Sequence, residues 1–102
     1  MYRDKKFSEA REAFRKVNQI DSSKYEIWET ILVINSELND SIAIINEGER
    51  AIELFPEQPL LYLFTGTSYF QTNQLQKALQ KLETGVKLVV DNEKLLSQFY
   101  TY

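Results

Sequence analysis

The sequence predicts an all-α chain, and three observations carry that reading. Apolar residues recur at three- and four-residue spacing, turn-forming clusters interrupt the chain at helix-length intervals, and punctuation for β-hairpins is scarce. Three glycines and two prolines in 102 residues are few for a hairpin-rich fold. No strand-length stretch alternates strictly between apolar and polar residues, as a half-buried strand would. The segments between breaks run to about 14–17 residues, a normal helix length.

A first helix is predicted over 6–20, where Phe7, Ala10, Phe14, Val17 and Ile20 form one apolar stripe. Asp21-Ser22-Ser23 ends it. Ser23 followed by Glu26 reads as a capping box, in which the Ser oxygen and the Glu carboxylate satisfy each other's backbone donors. The second helix, 24–38, carries Ile27, Trp28, Ile31, Ile34 and Leu38 on one face. Asn39-Asp40-Ser41 separates it from a third helix over 41–54. Phe55-Pro56-Glu57-Gln58-Pro59 follows. Pro59 suits the first turn of a fourth helix, 59–72, because its missing N–H is not needed there. After Thr72-Asn73-Gln74, Leu75, Ala78, Leu79, Leu82, Val86 and Leu88 form the stripe of a fifth helix, 75–89. Asp91-Asn92 precedes a sixth that starts near 93 and is cut off at Tyr102.

Charged residues make up 26% and hydrophobic ones 43%, which fits a globular domain and not a disordered chain. Without cysteine or histidine there is no disulfide, no thiol or imidazole catalysis, and no metal site built on those ligands. The longest aliphatic run, Ile31-Leu32-Val33-Ile34, is far short of a membrane span, and the opening residues lack the apolar core of a signal peptide. A net charge of −3, with only Arg3, Lys5 and Lys6 clustered, gives no support for nucleic-acid binding. The composition is compatible with cytosol and periplasm alike.

The segments also repeat. Trp28, Tyr62 and Leu96 are 34 residues apart in turn, as are Ala10, Ile44 and Ala78, then Phe14, Gly48 and Leu82, then Ile20, Leu54 and Leu88. In this pattern the chain resembles the tetratricopeptide repeat family, whose two-helix unit has that period. With Tyr25 and Pro59 as first positions, Tyr62, Gly66, Tyr69, Ala78 and Leu82 fall where the family places aromatic, small, aromatic, small and large residues. Trp28, Ile31, Ala51 and Pro56 fit in the preceding unit, and Phe7, Ala10 and Phe14 in the partial one before it. The chain then divides as 1–24 (a second helix), 25–58 and 59–92 (full repeats) and 93–102 (a first helix). That frame predicts a stretch of a longer array.

The second unit departs from the family's pattern. Leu32 and Ile44 occupy sites where close helix approach favours small residues, and Gly48 stands where a bulky one is usual. The exchange predicts a volume swap that conserves packing. In the fourth unit, Tyr100 at the small position leaves the register open.

The resemblance implies antiparallel helix pairs stacked as a right-handed α-solenoid, with the first helix of each pair lining a concave groove. The groove stripe would hold Glu26, Glu29, Val33, Ser36 and Glu37, then Leu60, Leu63, Thr67, Phe70 and Gln71, then Lys94, Ser97 and Thr101. A carboxylate clamp is not expected, because the second unit offers glutamates and the third offers no basic residue on the stripe. The expected partner is a protein or peptide segment with apolar or basic character. Leu60, Leu63 and Phe70 would be anchors and Glu26, Glu29 and Glu37 charge selectors. Charge is uneven along the chain: residues 1–24 carry net +3 and residues 25–58 net −7.

No catalytic constellation stands out. The glycines at 48, 66 and 85 form no phosphate loop, no Ser-x-x-Lys occurs, and Glu26 with Glu29 on one helix face lacks a cleft to split their pKa values. No cofactor is implied. Asn39-Asp40-Ser41 matches a glycosylation triplet and equally an inter-helix turn. The alternative to a binding module is a structural spacer or self-association segment, paired end to end through open terminal helices near Phe99 and Tyr102.

Overall fold

The fold is all-α. A computed structural model describes residues 2–90, with side chains described from Asp4 onward. Helices α1 (Tyr2–Ile20), α2 (Tyr25–Glu37), α3 (Ser41–Leu54), α4 (Pro59–Gln71) and α5 (Leu75–Val90) follow one another, joined by short turns. The expected sixth helix lies outside the described residues. Helix α1 starts four residues earlier than the periodicity indicates. No breaker interrupts Tyr2–Lys5, and Asp4 in the first turn complements the helix dipole.

Each helix packs on the next in chain order. Helices α4 and α5 run in opposite senses: a Cβ at Gly66 would meet Leu82, and one at Gly85 would meet Tyr62 and the Pro59 carbonyl. The core joins α2, α3 and α4 through Trp28, Leu32, Ile44, Ala51 and Leu61. Tyr25 packs edge-on against Phe55 beside it, ring centroids 5.5 Å apart.

The turns repeat at the atomic level with the period of the sequence. Asn39 (φ 54°) and Asn73 (φ 64°) both adopt the left-handed conformation that ends a helix. Asp40 N–H donates to Asn35 O and Asn39 N–H to Ser36 O. Gln74 N–H donates to Tyr69 O and Asn73 N–H to Phe70 O in the same way. This double bond pattern is a Schellman motif, with Asn in the place glycine usually takes. The ring edges repeat too: Trp28 Nε1 donates to Ser22 O, and Tyr62 Oη to Pro56 O.

Three expectations are corrected. The Ser23–Glu26 capping box does not form: Ser23 Oγ donates to Asp21 Oδ1 at 2.6 Å, and Lys24 caps α2 with no side-chain bond. Asp21 presents the better acceptor, so it captures the Ser23 hydroxyl and backbone N–H together. Val17 and Ile20 of the first stripe, and Leu75, Leu79 and Val86 of the last, are exposed, Ile20 at 87%. Within the described residues, α1 packs on α2 and α5 on α4, while the middle helices have a neighbour on both sides. The third correction concerns Gly48. Leu32 and Ile44 are buried as the volume swap requires, but the space over Gly48 is taken chiefly by the Thr65 methyl of α4. Leu32 Cδ2 stands farther off, 3.9 Å from a built Cβ.

Candidate functional site

The stripe residues of α2 and α4 are largely solvent-facing. Glu26, Val33, Ser36 and Glu37 on α2 are exposed and Glu29 is half-buried. On α4, Leu63, Thr67, Phe70 and Gln71 are exposed, with Phe70 at 64%, and Leu60 is half-buried. The reason is local. The core-facing side of α4 is supplied by Leu61, Tyr62, Thr65, Ser68 and Tyr69, all buried, which turns Leu63, Thr67 and Phe70 outward. Gln71 Oε1 accepts from Ser41 Oγ at 2.7 Å, so the end of α4 is tied to the start of α3. Lys94, Ser97 and Thr101 lie outside the described residues.

Tyr25 stands at the head of α2. Burial, together with Glu29 and Glu26, pushes its phenol up to about 12. It remains a neutral hydrogen-bonding group beside the acidic stripe at any ordinary pH. Tyr25 is four residues before Glu29 on the same helix, the spacing at which helical side chains are neighbours.

A second polar constellation, absent from the sequence reading, joins α1 to α2 and α3. Arg15 grips Glu47 with two hydrogen bonds, Nε to Oε2 at 3.1 Å and Nη2 to Oε1 at 2.6 Å. Arg11 Nη1 donates to Asn35 Oδ1 at 3.0 Å and to Asp40 Oδ2 at 2.9 Å. Asn35 is wholly buried, and its Nδ2 donates to Glu47 Oε1 at 3.0 Å. Asp40 also caps α3 by accepting from the Ala43 N–H. Burial works against its charge, but Arg11, the Ala43 N–H and nearby Arg15 outweigh it and hold the carboxyl below its ordinary value. The Glu47 hydrogen bond leads in raising the Arg15 guanidinium.

The equivalent contact one period later carries the opposite polarity. Glu49 stands 34 residues after Arg15, and Lys81 stands 34 after Glu47. Lys81 Nζ meets Glu49 Oε1 at 2.6 Å. Tyr69 Oη donates to Glu49 Oε2 at 2.5 Å. Burial opposes the Glu49 charge, yet Lys81 and Tyr69 prevail and lower its pKa, while burial and Glu49 push Tyr69 up to about 12. The sequence signal was present as complementary charges at 32-residue separation (15 with 47, 49 with 81). It is visible only once the stacking of alternate helices is known.

Asp40, Glu47 and Glu49 are thus held in ion pairs and caps that join neighbouring helices. Among the described residues no group of three or more carboxylates could hold a metal ion, and no helix is long and apolar enough to cross a membrane. Compared with known proteins, the chain matches no protein-family model, and no curated protein matches it significantly.

Proposed function

We propose that the chain is a tetratricopeptide-like interaction module, its helix pairs stacked as a right-handed α-solenoid, that binds a peptide or protein segment along the α2–α4 stripe. The reading of the fold is supported by the 34-residue repetition of Schellman turns and of the Trp28 and Tyr62 ring bonds. The observation that carries the binding role is the exposure of Val33, Leu63 and Phe70 beside Glu26 and Glu29. An apolar patch rimmed by polar groups suits a partner segment, and the acidic rim favours a basic flank on it.

Selection of a binding peptide from a displayed random library, followed by titration, tests this. Phe70→Ala removes the largest exposed anchor and Glu29→Lys reverses the rim. Each is expected to weaken the selected peptide by about tenfold or more, with an unchanged circular dichroism spectrum. Equal affinity of both variants and the parent would sink the groove assignment.

A structural reading, as a spacer or self-association segment, draws on one observation: Leu75, Leu79 and Val86 of α5 are exposed among the described residues. Light scattering across a concentration series separates the two, since a peptide-binding monomer at all concentrations excludes self-association.

A further inference from the structure

Helix α1 is joined to its neighbours by different means from the other helices. None of its apolar side chains is fully buried among the described residues: Phe7, Ala10 and Phe14 are half-buried, and Val17 and Ile20 are exposed. The core cluster draws its members from α2, α3 and α4, with Phe55 beside them, and none from α1. Helix α5, at the other end of the described residues, docks through close approach instead, with Leu82 against Gly66 and Tyr62 against Gly85.

Polar bonds take the place of apolar burial along α1. Arg11 and Arg15 stand one turn apart on one face. Arg11 reaches across to Asn35 and Asp40, and Arg15 to Glu47. The same seam holds the two buried side-chain atoms that lack a hydrogen-bond partner among the described residues, Arg11 Nε and Asn18 Oδ1. Both belong to α1. Water satisfies such groups once the helix undocks, so each of them weakens docking. One and two periods after Asn18 stand Ile52 and Val86, and Ile52 packs on the core. Helix α1 therefore carries an amide where α3 and α5 carry an aliphatic side chain.

The turn behind α1 is anchored independently of that helix. Residues 21–24 are exposed, and Ser22 O accepts from Nε1 of the buried Trp28. The chain can pivot there while Trp28 keeps its place in the core. Ile31 and Ile34 are buried yet stand outside the cluster that joins α2 to α4, and the helices packed on α2 are α1 and α3.

We infer that α1 is a strap latched by Arg11 and Arg15, and that it opens as one unit while α2–α5 stay folded. Local opening falls to the parts of a fold with the least apolar burial, and the α1 seam is held by charge-assisted hydrogen bonds and opposed by its own unpartnered groups. Opening gives Arg11, Arg15 and Asn18 back to water. It frees Asp40 and Glu47, and it bares the side of α2 that carries Ile31 and Ile34.

Native-state hydrogen exchange of the full chain, followed amide by amide by NMR, tests this. Beyond its first turn, α1 is expected to show one common protection, at least about tenfold below that of α3 and α4. Arg15→Gln removes the charge of one latch and should lower the protection of α1 by about tenfold more, the scale of one charge-assisted hydrogen bond, with α4 unchanged. Asn18→Leu, close to asparagine in shape, deletes the unpartnered oxygen and should raise the protection of α1 alone. One variant loosens the strap and the other tightens it, so general damage to the fold cannot produce both results. Equal protection of α1, α3 and α4 would overturn the proposal. So would protection rising smoothly from the start of α1 to its end, which marks simple fraying, an Arg15→Gln effect shared by all helices, or an Asn18→Leu variant whose α1 exchanges as in the parent.

Discussion

Replacing Gly48 by alanine sets two known effects against each other. Alanine gains about 1 kcal/mol over glycine in a helix interior. The new Cβ, however, would lie inside 3.0 Å of Thr65 Cγ2, a separation that real Cβ atoms essentially never show. Thr65 is fully buried, and its Oγ1 donates to Leu61 O at 2.9 Å. Swinging the methyl away would sacrifice that bond, worth about 1 kcal/mol, and separating α3 from α4 would open the core around Leu32. Overpacking costs about 1–3 kcal/mol, and so close an approach between two packed helices belongs in the upper half of that range, about 2–3 kcal/mol. The clash therefore exceeds the propensity gain, and Gly48→Ala should destabilise by about 1–2 kcal/mol. For a domain of this size that lowers the melting temperature by roughly 5–15 °C. Gly48→Phe should cost more. Thr65→Ser deletes the offending methyl and keeps the hydroxyl. Alone it should cost about 1 kcal/mol for the lost contact, yet beside Gly48→Ala it should restore stability, because the new methyl fills the vacated space. Urea unfolding of the four proteins measures the coupling, expected at about 1–2 kcal/mol. A rise in melting temperature on Gly48→Ala, or additivity within about 0.5 kcal/mol, would refute the close-approach argument.

Other outcomes follow from the ion-pair clusters. Glu47→Ala leaves the buried Asn35 Nδ2 without its acceptor and reduces Arg15 to its pair with Glu12, and should lower stability by about 1–3 kcal/mol; the exchange Arg15→Glu with Glu47→Arg should recover part of that in urea unfolding. Asp40 and Glu49 have folded pKa values below their ordinary ones. In acid the unfolded chain then binds more protons than the folded one, so their contribution is complete above the ordinary carboxylate range and is lost as pH falls through the folded values. Unfolding midpoints measured from about pH 5 to 3 should fall less steeply for Glu49→Gln than for the parent. In base the sign reverses: Tyr25 and Tyr69, at about 12, stay protonated when unfolded tyrosines ionise near pH 10. Stability should therefore decline between those values, and phenolate absorbance should show Tyr25 and Tyr69 titrating late, together with Tyr62, whose phenol burial and Glu49 also push up.

Much of the local structure was legible in the residues. Pro59 heads α4 as its missing N–H suggests, and the Asn39 and Asn73 clusters end helices because asparagine tolerates the left-handed conformation. The Trp28, Ile31 and Ile34 stripe is buried. These features depend on interactions within a few residues, so order along the chain is enough to reveal them. The outward turn of Leu63 and Phe70 was expected only through the resemblance, whose repeat frame sets them apart from the core positions Tyr62, Gly66 and Tyr69; α4 itself is apolar on most sides, so its period alone does not sort them.

What only the tertiary structure decided is which faces find neighbours. Ile20 and Leu79 continue apolar stripes as regular as that of α2, yet they are exposed, because periodicity marks a face without saying what covers it. Gly48 was recognisable as a packing device, but its filler, Thr65, comes from the next unit. The Arg15–Glu47 pair and the buried, unpartnered Oδ1 of Asn18 are likewise invisible along the chain. Their partners, or the lack of them, lie across alternate helices, where burial and distance rather than residue order set the cost of a polar group.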